Sequence, residues 1–262
     1  MPLSEFQSKL VRLLAQNRSE ESHLAGGAAL HFAPNSIRYS EDLDYFHDSD
    51  QAVATSFAKD KALLEENDYT LSVEINQVGY IRSIIKKDSN STKIEWAKDS
   101  IWRFMPVQSH ADIGFVLHPI DLCTNKLLAL VGRDEARDFL DVIENHKLIL
   151  PLGAQCWAAC GKDPGLSPDL ILDLLKRRGK YQKEDFARLH LLNNTINLID
   201  LKSEWLSMLS EAEKFIAQAP KENLGCLFYA KEKKIFVQPS FDTNEFVIPH
   251  YGKKGGVVPI FK

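Results

Sequence analysis

Asp42 and Asp44 flank Leu43 in the run Arg38-Tyr39-Ser40-Glu41-Asp42-Leu43-Asp44-Tyr45-Phe46. In an extended strand, residues i and i+2 share a face, so this spacing sets two carboxylates side by side. Upstream, Gly26 and Gly27 follow a short apolar run and precede a short amphipathic segment closed by Pro34. A glycine pair lets the backbone approach a ligand closely, and at a helix start it aims N–H groups at an anion. Paired hard oxygen ligands beside a phosphate cradle suit Mg²⁺ (or Mn²⁺) bridging to substrate phosphates. In two-metal chemistry, one ion activates an attacking hydroxyl while the other holds a triphosphate and offsets charge on the departing pyrophosphate. Asp-x-Asp alone is common on surface strands; the glycine pair and Ser40, two residues ahead, make the signal specific. Arg38 has two readings, neutralising a triphosphate or pairing with Glu41 or Asp42. Ser40 has two as well, a hydrogen bond to a phosphate oxygen or a cap on the loop.

Gly26-Gly27-Ala28-Ala29-Leu30 followed by Arg38 to Phe46 resembles the AbiEii/AbiGii-type nucleotidyltransferase toxin family, within the DNA polymerase β-like nucleotidyltransferase superfamily. A second stretch carries the same resemblance: Lys126-Leu127-Leu128-Ala129-Leu130, then Arg133, Arg137-Asp138 and Asp141. The resemblance covers roughly Leu3 to His146. It implies a catalytic metal pair at Asp42 and Asp44, with a third acid from a later strand as metal ligand or general base. Glu95 in Lys93-Ile94-Glu95-Trp96 is the candidate, with Glu74 the alternative on the same sheet. Read without the resemblance, Glu95 is an exposed strand acid paired with Lys93 or Lys98. Gly26, Gly27, Arg38, Ser40 and Lys126 are then the nucleotide-binding set, with Asp138 orienting Lys126. The plainer readings are a lysine snorkelling to water and a solvated face of i, i+4 pairs such as Arg137 with Asp141. The family more often has lysine where this chain has Arg137. The implied activity is transfer of a nucleoside monophosphate from an NTP, ATP among them, to an acceptor hydroxyl. RNA, and tRNA in particular, is the implied acceptor; a toxin role and an antitoxin protein partner follow from the same resemblance.

The elements that must position these residues are legible in part. Ser4 with Gln7 is a capping box, and Phe6, Leu10, Leu13 and Leu14 recur at helical spacing, predicting a first helix packed against the sheet that carries Asp42 and Asp44. A helix is predicted over 52–67, strands over 71–77 and 80–86 joined at Val78-Gly79, a polar turn over 88–92 and a strand over 93–96. Pro119 opens a helix to about Val131 with Asp121 in its first turn, and 136–145 is its partner. Further on, Ser167 caps a helix with Pro168 at its first position and Leu170, Ile171, Leu174 and Leu175 as its apolar face, and Gly179 stops it. Residues 183–192 and 200–219 are further helices, 226–230 and 234–238 a hairpin, and 252–256 a loop. The fold expectation is α/β (α+β). Residues 1–150 form a nucleotidyltransferase-like mixed sheet flanked by helices, and residues 151–262 a mainly helical region ending in a β-hairpin.

With 262 residues, 44% hydrophobic and 26% charged, the composition is that of a globular protein. No apolar run is long enough to span a bilayer and MPLSEFQSKL has no signal-peptide pattern, so the expectation is cytoplasmic, with no membrane partner. A net charge of −4 argues against a broad nucleic-acid surface but permits a local basic patch, for which Lys176-Arg177-Arg178-Gly179-Lys180 is a candidate. Those residues equally suit a helix C-terminus. Of the four cysteines only Cys156 and Cys160 are close, and no second ligand pair accompanies them, which argues against zinc and for buried thiols. Two functions compete with nucleotidyl transfer to RNA. One is the same transfer to a protein or small molecule; the other is a nucleotide-binding module without catalysis.

Overall fold

The computed structural model describes residues 3–32, 37–192, 196–242 and 246–260. Pro34 lies outside them. In chain order the first elements are α1 (Glu5–Leu14), β1 (Ser22–Ala25), α2 (Gly26–Leu30), β2 (Asp42–His47), α3 (Asp50–Glu66), β3 (Thr70–Gln77), β4 (Tyr80–Lys87), β5 (Asn90–Lys98), β6 (Trp102–Arg103), β7 (Gln108–His110) and β8 (Gly114–Val116). There follow α4 (Pro119–Arg133), α5 (Ala136–Leu148), α6 (Leu152–Lys162), α7 (Pro168–Arg177), α8 (Lys183–Ala187), α9 (Leu198–Gln218), β9 (Leu227–Ala230), β10 (Ile235–Val237), β11 (Val247–His250) and β12 (Lys253–Lys254). The chain divides into two compact units, one made of Met1–Ile101, Pro106–His118 and His190–Asn194, the other of Trp102–Met105, Pro119–Leu189 and Thr195–Lys262.

The first unit is a seven-stranded mixed sheet in the order β3-β4-β5-β2-β1-β8-β7, with β2 parallel to β5 and β8 parallel to β1. Period-two alternation decides its faces. Leu43 and Tyr45 of β2, Ile94 and Trp96 of β5 and Ile81 and Ile85 of β4 are all buried. This inner face is covered by α1 and α3. In α1 the capping box forms, Leu10, Val11 and Leu14 are buried, and Gln7 Nε2 donates to the Ser40 carbonyl at 3.1 Å and to Thr92 Oγ1 at 3.2 Å. One side chain thereby pins the start of β2 and the start of β5.

Behind the sheet lies a buried ionic node. Arg18 meets both oxygens of Asp60 at 2.5 Å, and Asp60 also accepts from Asn17 at 2.9 Å and from Trp96 Nε1 at 2.7 Å. The Arg18 guanidinium lies 4.1 Å from the Tyr45 ring centre. A buried ion pair contributes little net stability, because desolvation offsets the attraction, but it fixes geometry strongly. Here it ties Tyr45 and Trp96, the neighbours of Asp44 and Glu95, to α3 and to the turn after α1.

His47, at the end of β2, is wholly buried, with Ser22 Oγ 3.1 Å from its Nε2 and the Ala97 carbonyl 3.4 Å from its Nδ1. Burial first, and the charge of Arg18 second, push its pKa down to about 4. The unfolded chain binds this proton more readily than the folded one, so stability is retained above the ordinary histidine pKa and lost as pH falls towards 4. The wild-type protein is expected to lose about 2 kcal/mol between pH 6.5 and 5 through this group. His47→Gln is expected to flatten that part of the profile in denaturant melts at the two pH values.

In the second unit α6 packs with α9 and α4. Asp121, fully buried in the first turn of α4, accepts from the Phe104 and Met105 N–H groups at 2.9 and 3.0 Å and pairs with Lys162 at 2.8 Å. The tail forms a three-stranded sheet, β10-β9-β11. Gly179 stops the chain after α7 at φ +76°, where a side chain would strike Trp205 and Phe139. Leu170, expected on the apolar face of α7, is 45% exposed.

Two further expectations are corrected. The helix expected over 183–192 ends at Ala187, because the following residues turn to pair with the 37–39 segment: Tyr39 N donates to His190 O at 2.8 Å and Leu192 N to Ile37 O at 2.9 Å. The loop expected over 252–256 contains β12, which pairs antiparallel with β6. All four cysteines are buried and free. Among the described residues no helix is long and apolar enough to cross a membrane.

Candidate active site

β2 starts at Asp42, where Ser40 Oγ donates to the Asp42 carbonyl at 2.9 Å. The loop-cap reading of Ser40 therefore holds. From there Asp42 and Asp44 point away from the Leu43 and Tyr45 face, as alternation requires. The parallel register with β5 sets Asp42 opposite Lys93 and Asp44 opposite Glu95. Glu95 thus joins the pair: carboxylate oxygens of Asp42, Asp44 and Glu95 all lie within 4.8 Å of one another. Among the described residues this is the one cluster of its kind. Glu74, the alternative, is exposed on the outermost strand, where β3 shifts register between Val73 and Ile75.

The glycine turn meets the acids directly. Gly26 has φ +60°, and a Cβ placed there would overlap the Asp44 carboxylate. A Cβ on Gly27 would lie 3.0 Å from Ser40 Oγ and 3.4 Å from an Arg38 guanidinium nitrogen. Gly26, Gly27, Arg38, Ser40, Asp42, Asp44 and Glu95 are therefore one constellation within the first unit. Helix α2 has only five residues, so little macrodipole develops; what the turn supplies is bare backbone at the carboxylates. Arg38 is 2% exposed and donates to the Tyr39 carbonyl at 3.1 Å.

The acids are matched by cations. Lys93 Nζ is 2.9 Å from Asp42 Oδ2 and 3.1 Å from Glu95 Oε1, and Arg82 from β4 reaches Glu95 Oε1 at 3.0 Å. Burial opposes the Lys93 charge, but Asp42 and Glu95 together outweigh it and hold its pKa above the usual lysine range. The pKa of Tyr80, beside Glu95, is raised by burial and then by that carboxylate. The sequence reading had Glu95 paired with Lys93 or Lys98. The first pair forms; Lys98 instead meets Asp50 at 3.2 Å. Arg82 was missed. Its signal is the alternation of Tyr80, Arg82 and Ile84 with the buried Ile81, Ser83 and Ile85.

Lys126 and Asp138 lie in the second unit, in a cluster of their own. Lys126 Nζ is 3.2 Å from Asp138 and 2.9 Å from Asp141, and Arg133 meets Asp138 at 2.6 Å. Both aspartates are fully buried and Lys126 is 7% exposed, which corrects the readings of a snorkelling lysine and a solvated charged face. Two residues of the basic run at the end of α7 are paired: Lys176 with Glu213 at 3.1 Å and Arg178 with Asp134 at 2.9 Å.

No family model and no curated protein matches the chain. Solved structures do. JHP933 from Helicobacter pylori is 20% identical, with TM-score 0.51, over 82% of this chain and 95% of that one. MenT4, a nucleotidyltransferase toxin from Mycobacterium tuberculosis, is 15% identical, with TM-score 0.51, over 83% of each. At such identities the likeness is one of fold, and that fold is the one expected from the sequence.

Proposed function

We propose that the chain is a nucleotidyltransferase that moves a nucleoside monophosphate from an NTP to an acceptor hydroxyl with Mg²⁺ or Mn²⁺. The supporting observation is the convergence of Asp42, Asp44 and Glu95 on the glycine turn, on a fold shared with a nucleotidyltransferase. The donor set fits the ion: three carboxylates, two of them half-buried, are hard ligands for a hard cation. Bound at Asp42, Asp44 and Glu95, the cation supplies Lewis acidity to the acceptor hydroxyl and positive charge to the triphosphate and leaving pyrophosphate. The turn at Gly26 and Gly27, with Arg38 beside it, receives the phosphates. The acceptor hydroxyl oxygen forms a bond to the α-phosphorus and releases its proton to solvent as the bond from the α-phosphorus to the α,β-bridging oxygen breaks, and pyrophosphate leaves with that oxygen. Glu95, whose Oε1 already takes Arg82 and Lys93, is assigned to the metal rather than to proton removal. Lys126 is given to the triphosphate, with Asp138 and Asp141 fixing its ammonium, on the resemblance alone.

The same proposal takes RNA, tRNA first, as the acceptor, a toxin-like role, an antitoxin protein as partner and the cytoplasm as location. The fold shared with a nucleotidyltransferase toxin supports the toxin-like role; the RNA acceptor, the antitoxin partner and the location rest on the sequence resemblance. The protein, incubated with each α-labelled NTP, Mg²⁺, total RNA and a cell lysate, is expected to label RNA, and EDTA to abolish the label. Label in protein bands with none in RNA would redirect the acceptor to a protein. Absence of transfer from every NTP would leave a binding module and overturn the proposal.

A further inference from the structure

The β2–β5 register that delivers Glu95 to Asp44 also delivers Lys93 to Asp42. Lys93 is the residue that bridges: its ammonium touches Asp42 and Glu95 together, 2.9 and 3.1 Å away. Arg82, on the far side of Glu95, touches only that carboxylate among the three. Lys93 and Arg82 therefore already stand against Asp42 and Glu95. A divalent ion entering this cluster alone meets acids whose charge is largely offset, and it competes for Asp42 and Glu95 with a covalently tethered rival. The Lys93 side chain is 31% exposed, so water reaches it and its flexible stem can carry the ammonium aside.

We propose that Lys93 is a resident counter-cation that holds Asp42 and Glu95 in place and is displaced by the divalent ion, which makes metal occupancy depend on nucleotide. The triphosphate arriving with the metal gives the displaced ammonium a new anionic partner; metal arriving alone gives it none. Lys93 is in this sense a positioning residue. The inference rests on the proposed function and adds to it the order in which metal and nucleotide are taken up.

The test measures Mn²⁺ binding from the signal of the free ion, on the full chain, with and without a non-hydrolysable NTP. The wild-type protein is expected to bind Mn²⁺ weakly alone and at least tenfold more tightly with nucleotide. Lys93→Met is expected to bind Mn²⁺ alone on the order of tenfold more tightly than wild type, with little further gain from nucleotide. Its metal-free melting temperature should fall and recover on adding Mn²⁺. Lys93→Arg should behave as wild type. Lys93→Gln keeps a donor between the carboxylates and removes only the charge, so it reads the same effect where Lys93→Met does not fold. Equal Mn²⁺ binding by wild type and a folded charge-free variant, with nucleotide still improving both, overturns the role of Lys93 and leaves the proposed function standing. No Mn²⁺ uptake by wild type even with nucleotide overturns both.

Discussion

Asp44→Ala is expected to lower nucleotidyl transfer by at least about a thousandfold, close to 4 kcal/mol of transition-state stabilisation, while the protein stays folded. Asp42→Ala is expected to do the same. The argument is one of charge. A triphosphate brings several negative charges to a site whose own three carboxylates repel it, and only a cation held between the two sets reconciles them. Removing one ligand weakens that cation where charge develops on the pyrophosphate. Folding should tolerate both changes, because the core contacts of β2 are made by Leu43 and Tyr45 on the opposite face. Single-turnover transfer with labelled NTP, beside a thermal melt, checks this. Retained transfer in a folded variant would refute the mechanism.

Gly26→Ala is expected to cost about a hundredfold in transfer, about 2.7 kcal/mol, with a stability loss of about 1–3 kcal/mol. Two effects add. At φ +60° an L-residue is strained by roughly 1 kcal/mol, and the new methyl group falls on the Asp44 carboxylate. The carboxylate must rotate away from Asp42 and Glu95 or the turn must open, and a misplacement of about an ångström is costly at a reacting centre. Gly27→Ala is the matched control. It has no positive φ, and its methyl would sit 3.0 Å from the Ser40 hydroxyl, a contact relieved by a few tenths of an ångström. The loss at position 27 should be clearly the smaller in both melt and transfer assay.

Much of the constellation was legible because it is local. Asp42 and Asp44 lie two apart in one strand, and strand periodicity alone puts them together. Glu95 was preferred to Glu74 on the resemblance; what brings it to the pair is the register between β2 and β5, parallel strands separated by α3, β3 and β4, and no local spacing encodes that register. Lys93 was visible only as a surface partner for the same reason. In the second unit α6 escaped notice because Leu152 to Cys160 are all buried, so no polar face alternates with an apolar one to give a helical period. The β6–β12 pair is two residues long on each side and joins distant segments, so neither strand has a pattern of its own. The helix expected over 183–192 stops at Ala187 because backbone pairing with the 37–39 segment, which no local spacing announces, takes over there.

Because β2 and β5 run parallel, the acid at position 95 reaches its two companions only after the chain has passed through α3 and the β3–β4 hairpin and come back. During synthesis, a ribosome that has released only the first seventy residues has emitted Asp42, Asp44 and the glycine turn, yet nothing that can grip an ion tightly. Competence therefore arrives only when the fifth strand pairs with the second, and Mn²⁺ capture in the presence of a non-hydrolysable NTP should not precede that pairing during refolding.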